Sequence, residues 1–186
     1  MSKDEKGSVA YSIVTFLIGL LVVYSVFFGI EYYLANPSPF YVVVSESMRP
    51  TLEIGDLVIG RGVGDKVLYF LFIPIHVKGV DPKDLKIGDI IIFRSPDNPN
   101  VLIIHRIIKI KNSSNGLIFI TKGDNNPVDD YTGHRWLIRE SDVVAVYVAH
   151  VRHLGSIIGF FKSPYGILLI IGIAAIIIAY DYYRKS

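Results

Sequence analysis

At 186 residues, with a formal charge of +2 and 51% hydrophobic side chains, the chain has room for one folded domain of modest size plus apolar segments that lift its mean hydropathy above zero. The absence of cysteine excludes disulfides, cysteine nucleophiles and zinc–thiolate centres, so a domain facing an oxidising compartment has to be held by its core alone. So mild a basicity leaves no electrostatic footprint for nucleic acid, and no nucleic-acid partner is expected.

Residues 1–8 read as a short tail carrying Lys3 and Lys6, after which no charge occurs until Glu31. Roughly 22 apolar residues at about 1.5 Å each extend about 33 Å, enough to cross a hydrocarbon core of about 30 Å, so 9–34 is expected to be a transmembrane anchor. A cleavable signal peptide would have a shorter apolar core and a small-x-small site. Here Tyr32-Tyr33-Leu34-Ala35 puts a tyrosine where a small residue is needed, and the anchor is read as uncleaved.

Asn36-Pro37-Ser38-Pro39 stiffens the exit from this segment, and the pattern then shortens into β-branched runs at 40–44, 57–59, 89–93, 101–110, 117–121 and 143–151, punctuated by Gly, Pro, Asn and Asp. The fold class expected is mainly β, with a β-rich extracytoplasmic domain over 35–160. Within it, VLYFLFIPI at 67–75 lacks polar alternation. It is read either as a buried strand or, through Tyr69, Phe70 and Phe72, as an interfacial patch that settles the domain on lipid.

Ser163-Pro164 breaks the approach to a second apolar run, and 161–183 is expected to be a second transmembrane helix with Tyr165, Tyr180, Tyr182 and Tyr183 near its ends. A tail at 184–186 follows. Two spans put both termini on one side, and Lys3, Lys6, Arg184 and Lys185 mark that side as cytoplasmic, although Lys162 stands near the opposite end.

Three features carry chemistry. Ser47, in SESMRPTL at 45–52, lies shortly after the anchor; a serine hydroxyl is a weak nucleophile until a base takes its proton and donors await the oxyanion. His105 interrupts the apolar strand pattern VLIIHRIIKI together with Arg106; in a strand the two point to opposite faces, so only one belongs to a given site. The turn at 123–130, GDNNPVDD, supplies three carboxylates, although Asp and Asn are also common turn formers. Its spacing misses the alternating ligand pattern of a calcium loop, and neither metal nor cofactor is expected. His76, His134, His150 and His153 have no companions that raise them above structural residues, and Lys109 and Lys111 are rival bases on paper.

These blocks resemble, in order and in local sequence, the type I signal peptidases, and within them the archaeal enzymes and the catalytic subunit of the endoplasmic-reticulum complex. The resemblance rests on SESMRPTL at 45–52 with GDLVIGRG following, KIGDIIIF at 86–93, HRIIKI at 105–110 and TKGDNNPVDD at 121–130. It implies a signal-peptidase-like β-rich catalytic domain flanked by N-terminal and C-terminal transmembrane helices. It also implies that Ser47 is the nucleophile. Bacterial members carry a lysine base before the Arg of the third block, whereas the archaeal and reticulum forms carry histidine there, which makes His105 the base.

By the same resemblance Asp130 is the likelier of two carboxylates to orient His105 and Asp124 a second required one; which touches the imidazole stays open at this point. The Ser47 backbone N–H, joined by the Ser45 hydroxyl in bacterial relatives, would meet the oxyanion. The implied function is a membrane-bound serine endopeptidase that cleaves signal peptides from exported preproteins. Its partners would be those preproteins, the lipid bilayer and, as in the reticulum, further membrane subunits. The chain lacks the large insertion of bigger bacterial enzymes, and a C-terminal span departs from the reticulum subunit. Two other readings stand beside it: a self-cleaving repressor-type serine protease, disfavoured by the spans and by the lack of a DNA-binding region, and a non-catalytic membrane-anchored β-rich interaction module, for which four spaced blocks would have to coincide.

Overall fold

The computed structural model describes the backbone of residues 3–114 and 116–185, with the side chains of Tyr11, of residues 13–173 apart from 115, and of Ile176. The charge-free N-terminal run sits in one helix, α1 (Lys3–Tyr33), of which Ile13–Tyr33 is long and apolar enough to cross a membrane. Along that stretch Leu17, Leu21, Val22 and Val26 are exposed, as a lipid-facing surface would be.

The helix does not end in a free linker. Ala35 turns the chain at φ +47°, and the buried Asn36 donates from Nδ2 to the Tyr41 hydroxyl at 3.0 Å and the Gly60 carbonyl at 2.9 Å. The Gly62 N–H donates to the Leu34 carbonyl at 2.9 Å. A Cβ at Gly62 would stand 2.0 Å from the Ala35 carbonyl oxygen, so only glycine lets the helix exit press on the strand behind it. The anchor is thereby joined to the sheet through hydrogen-bonded backbone.

Among the described residues nine strands follow: β1 (Phe40–Val42), β2 (Leu57–Gly62), β3 (Asp65–Phe70), β4 (Ile73–Lys78), β5 (Ile90–Arg94), β6 (Leu102–Ser113), β7 (Gly116–Lys122), β8 (Ile138–Arg139) and β9 (Val143–Val151). Seven form one sheet in the order β1-β2-β9-β5-β6-β7-β8, with every neighbouring pair antiparallel. The central strand β5 explains the unbroken IIIF run. Ile90 and Ile92 join Tyr41, Met48 and Leu52 in one core, while Ile91 and Phe93 join Ile107, Phe119 and Ile138 in another. A strand covered on both faces has no use for polar alternation.

The run at 67–75 is not a single buried strand. It folds back at Leu71, which takes φ +54°, and makes the hairpin β3–β4 outside the main sheet. Only Leu68 on β3 and Val77 on β4 are buried, against Ala35, while Phe72 at the tip is 94% exposed. One run of nine apolar residues therefore supplies both an inner contact and an outward apolar edge.

The expected second span at 161–183 falls on two helices. A short amphipathic helix, α3 (Leu154–Lys162 with the apolar Ile157, Phe160 and Phe161 exposed), precedes α4 (Pro164–Lys185), and the two meet at 74° around Ser163. Pro164 explains the break, since the ring removes a backbone donor and fixes the entry to a new helix. Much of the expected span beyond residue 173 lies outside the described side chains.

Candidate active site

After β1 the chain makes an irregular loop that carries residues 45–52. Met48 and Leu52 are fully buried in the core around Val58 and Ile92, and the Leu52 N–H donates to the Met48 carbonyl at 3.0 Å. These two side chains pin the loop, leaving Ser47 half-buried between them and solvent. Ser47 Oγ lies 3.2 Å from Ser45 Oγ. The half-buried Arg49 clasps Glu46 at 2.8 Å and Glu53 at 2.6 Å, a local brace on the outer side of the loop.

His105 is carried by β6, opposite Ile91 of β5, and is 6% exposed. Its Nδ1 is 2.7 Å from Asp130 Oδ2, an oxygen that also accepts from Thr121 Oγ1 at 2.5 Å. A carboxylate only accepts, so the network assigns the bridging proton to Nδ1 and leaves Nε2 as the nitrogen with a lone pair. Asp130 reaches this position because it opens a short helix, α2 (Asp130–His134). Its neighbour Asp129 caps that helix, accepting from Thr132 N–H at 2.7 Å, a bond that holds the Asp129 carboxyl below the usual carboxylate range. The adjacent aspartates thus divide two tasks: one caps and is half-buried, the other is buried against the imidazole.

Asp124 goes elsewhere. Arg106 grips it with two bonds, Nε to Oδ1 at 2.8 Å and Nη2 to Oδ2 at 2.7 Å, and Thr51 Oγ1 donates to Oδ2 at 2.5 Å. The Arg106 bond, reinforced by Thr51 and opposed by partial burial, holds the Asp124 carboxyl below its ordinary range. Arg106 also donates to the Gly88 carbonyl at 2.8 Å. One fork therefore ties together β6, the 123–130 turn and the loop of Ser47.

The same turn docks directly on that loop. The Asn125 N–H donates to the Ser47 carbonyl at 2.8 Å, and Asn125 Nδ2 donates to the Glu46 carbonyl at 3.2 Å. A Cβ on Gly123 would stand 2.6 Å from the Ser47 carbonyl oxygen, so the approach depends on glycine.

Ser45, Ser47 and His105 line one cleft of about 300 Å³, whose walls are mostly apolar and include Val44, Leu102 and Ile104. β6 pairs with β5 from Leu102 to Arg106 but with β7 only from Arg106 onward, so the 102–105 backbone has β5 on one side and the cleft on the other. Of the rival bases, Lys109 is exposed beyond a register shift in β6, and Lys111 Nζ sits 5.5 Å above the Tyr131 ring. Among the remaining histidines, His134 stacks on Trp136 at 4.5 Å and borders the cleft, whereas His150 hydrogen-bonds Tyr147 at 2.8 Å and lies 3.8 Å from Asp56. Among the described residues no three His, Asp or Glu side chains come together to hold a metal ion.

Several participants carry no role in the sequence reading. Thr121 and Thr51 stand inside the quoted blocks, where a threonine could have been noted as a donor to a neighbouring carboxylate. Trp136 and His134 gave no such signal, since only folding brings them to the cleft rim.

A family model described as signal peptidase, peptidase S26, matches residues 10–111. The chain is 32% identical over 145 residues to the signal peptidase complex catalytic subunit of Schizosaccharomyces pombe, covering 74% of this chain and 76% of the relative. It is 31% identical over 164 residues to the corresponding subunit of Yarrowia lipolytica, covering 83% of each. The human subunit is 28% identical over 181 residues, covering 92% of this chain and 84% of the relative.

Proposed function

The chain belongs to the signal peptidase family, peptidase S26, and from that membership we propose that it is a membrane-anchored serine endopeptidase that removes signal peptides from exported preproteins with Ser47, His105 and Asp130. The observation that carries the residue assignment is that His105, buried and paired with Asp130, lines the same cleft as Ser47.

With Nδ1 committed to Asp130, Nε2 is the nitrogen that takes the Ser47 proton as the hydroxyl attacks the scissile carbonyl, and returns it to the leaving amine. Asp130 stabilises the imidazolium that forms between these steps. The Ser47 backbone N–H and the Ser45 hydroxyl, 3.2 Å from Ser47 Oγ, are the oxyanion donors. Asp124 acts through Arg106 and Thr51 to hold the turn and the nucleophile loop in register.

An extended substrate segment can lie beside the 102–105 backbone, with apolar walls suited to small side chains. α1 fixes the domain beside the bilayer, where the apolar part of a signal peptide also resides, and so replaces a search through solution by one along a surface. A second crossing through α4, cytoplasmic tails at 1–8 and 184–186, a catalytic domain over 35–160 on the extracytoplasmic side and further membrane subunits complete the reading. Support for the last comes from the relatives, which are catalytic subunits of a signal peptidase complex.

The test uses full-length protein in detergent with a synthetic signal-peptide substrate. Ser47→Ala and His105→Ala should each lose roughly 10⁴-fold or more in cleavage rate while staying folded, and Lys109→Ala should stay active. Normal processing by Ser47→Ala would remove the assignment.

A further inference from the structure

We infer that the β3–β4 hairpin is inserted into the lipid leaflet beside α1, its tip in the acyl chains and its base at the headgroups. The tip is apolar and outward-facing: Phe72 is 94% exposed, Ile73 63% and Leu71 54%. What fixes its surroundings is the contact it makes with the anchor. Tyr24, inside the span Ile13–Tyr33, donates its hydroxyl to the Tyr69 carbonyl at 2.9 Å and accepts from the Leu71 N–H at 2.8 Å. The Phe70 ring packs on Tyr24 at 5.6 Å and on Phe28 at 4.9 Å between centroids.

Two lengths agree. From Tyr24 to the paired tyrosines at the helix end is nine residues, or about 13.5 Å along the axis. From Phe70 back to Lys66, the nearest charged residue on β3, is four residues, or about 13 Å at about 3.3 Å per residue. Charge returns only at the hairpin base, where Asp65 lies opposite Lys78 and Lys66 opposite Val77, beside a surface cleft lined by Tyr32, Tyr33, Arg61 and His76. The polarity of the hairpin thus changes at the level where α1 leaves its apolar stretch.

Backbone that enters hydrocarbon has to bring its own hydrogen-bond partners. The hairpin ladder supplies those that β3 and β4 turn toward each other. Pro74, opposite Tyr69, has no N–H to offer, and the Tyr24 hydroxyl serves the Tyr69 carbonyl and the Leu71 N–H at the turn. Tyr24 therefore acts as a cap for a re-entrant turn, a use that a water-exposed turn would not need. Lipid is the occupant that fits, because the tip continues the surface of the span itself: Leu20, Leu21 and Phe27, three or four residues from Tyr24 and so on its side of α1, are exposed.

The absence of cysteine allows a clean test on the full-length protein in phosphatidylcholine vesicles. Phe72→Cys and, as a water-exposed reference, Lys83→Cys are each labelled with an environment-sensitive fluorophore and challenged with acyl-chain spin-labelled lipid and with aqueous iodide. The label at 72 should be blue-shifted, lose fluorescence to the acyl-chain quencher and resist iodide, while the label at 83 does the opposite. Adding Tyr24→Phe to Phe72→Cys should move the label toward iodide access. Quenching of position 72 by iodide as strong as at 83 would overturn the proposal, and so would protection from both quenchers, which would mean that protein covers the tip. This readout is independent of cleavage, so it stands or falls separately from the peptidase reading.

Discussion

Asp130→Asn keeps the size and outline of a buried side chain and alters one donor–acceptor relation. In the native site one carboxylate oxygen accepts from Thr121 Oγ1 at 2.5 Å and from His105 Nδ1 at 2.7 Å. Asparagine offers one oxygen and one NH₂. Both bonds converge on one position. An oxygen there keeps them but without the charge that steadies the imidazolium. The NH₂ there instead donates to Nδ1 while the Thr121 hydroxyl turns round to accept, which sends the imidazole proton to Nε2. That nitrogen can then no longer receive the proton of Ser47. A wrong tautomer in this arrangement costs about 10⁴ in kcat, equivalent to about 5.4 kcal/mol at about 1.36 kcal/mol per decade. The stability cost is far smaller, about 1.5–3 kcal/mol for a hydrogen bond to a charged group, so the variant should still fold. Single-turnover cleavage of a signal-peptide substrate, run beside a melting curve, separates the two effects. A folded Asp130→Asn protein that cleaves within tenfold of the native rate would refute the orienting role and the proton path built on it.

Three further outcomes are expected. Ser45→Ala should lower kcat by about 10²–10³ with little change in KM if its hydroxyl meets the oxyanion, and a change below threefold in a steady-state assay would exclude that role. Gly123→Ala forces a Cβ to within 2.6 Å of the Ser47 carbonyl oxygen and should destabilise the protein by about 1–3 kcal/mol while displacing the nucleophile, read as a lower melting temperature with a disproportionate loss of cleavage. The Asp124 carboxyl is held below its ordinary range chiefly by Arg106, so its stabilisation is complete above the unfolded carboxylate value of about 3.9 and is lost as pH falls through the lower folded value. Melting temperatures measured from pH 6 downward should therefore fall more steeply below about pH 4 in the native protein than in Asp124→Asn, and parallel curves would refute the linkage.

How far the sequence could be read varied with the range of the interaction involved. The anchor was legible because a charge-free run of that length has few alternatives in water. The strands at 57–59, 89–93, 101–110, 117–121 and 143–151 were legible from β-branched runs and turn residues, although their ends shifted, as where 101–110 became Leu102–Ser113. The run at 67–75 was misread as one element when taken as a buried strand. Nothing in its composition announces that Leu71 accepts a positive φ, and it is packing on α1 that makes the reversal worthwhile. The broken approach of α3 to α4 was half visible in Ser163-Pro164, but the angle of 74° was not.

The local sequence alone determined which residue types were present and in what order: an apolar anchor, a serine after it, a histidine in a strand and aspartates in a turn. Those are properties of neighbouring residues, governed by hydropathy, strand alternation and turn chemistry. Only the tertiary structure decided that Asp130 faces His105 while Asp124 is held by Arg106, because both carboxylates share one turn and the choice depends on α2 and on a strand register set far along the chain. It also decided that the hairpin tip lies on Tyr24, 45 residues before its partner Tyr69. Hydrogen bonds and packing across such separations are selected by the whole fold, and no local pattern encodes them.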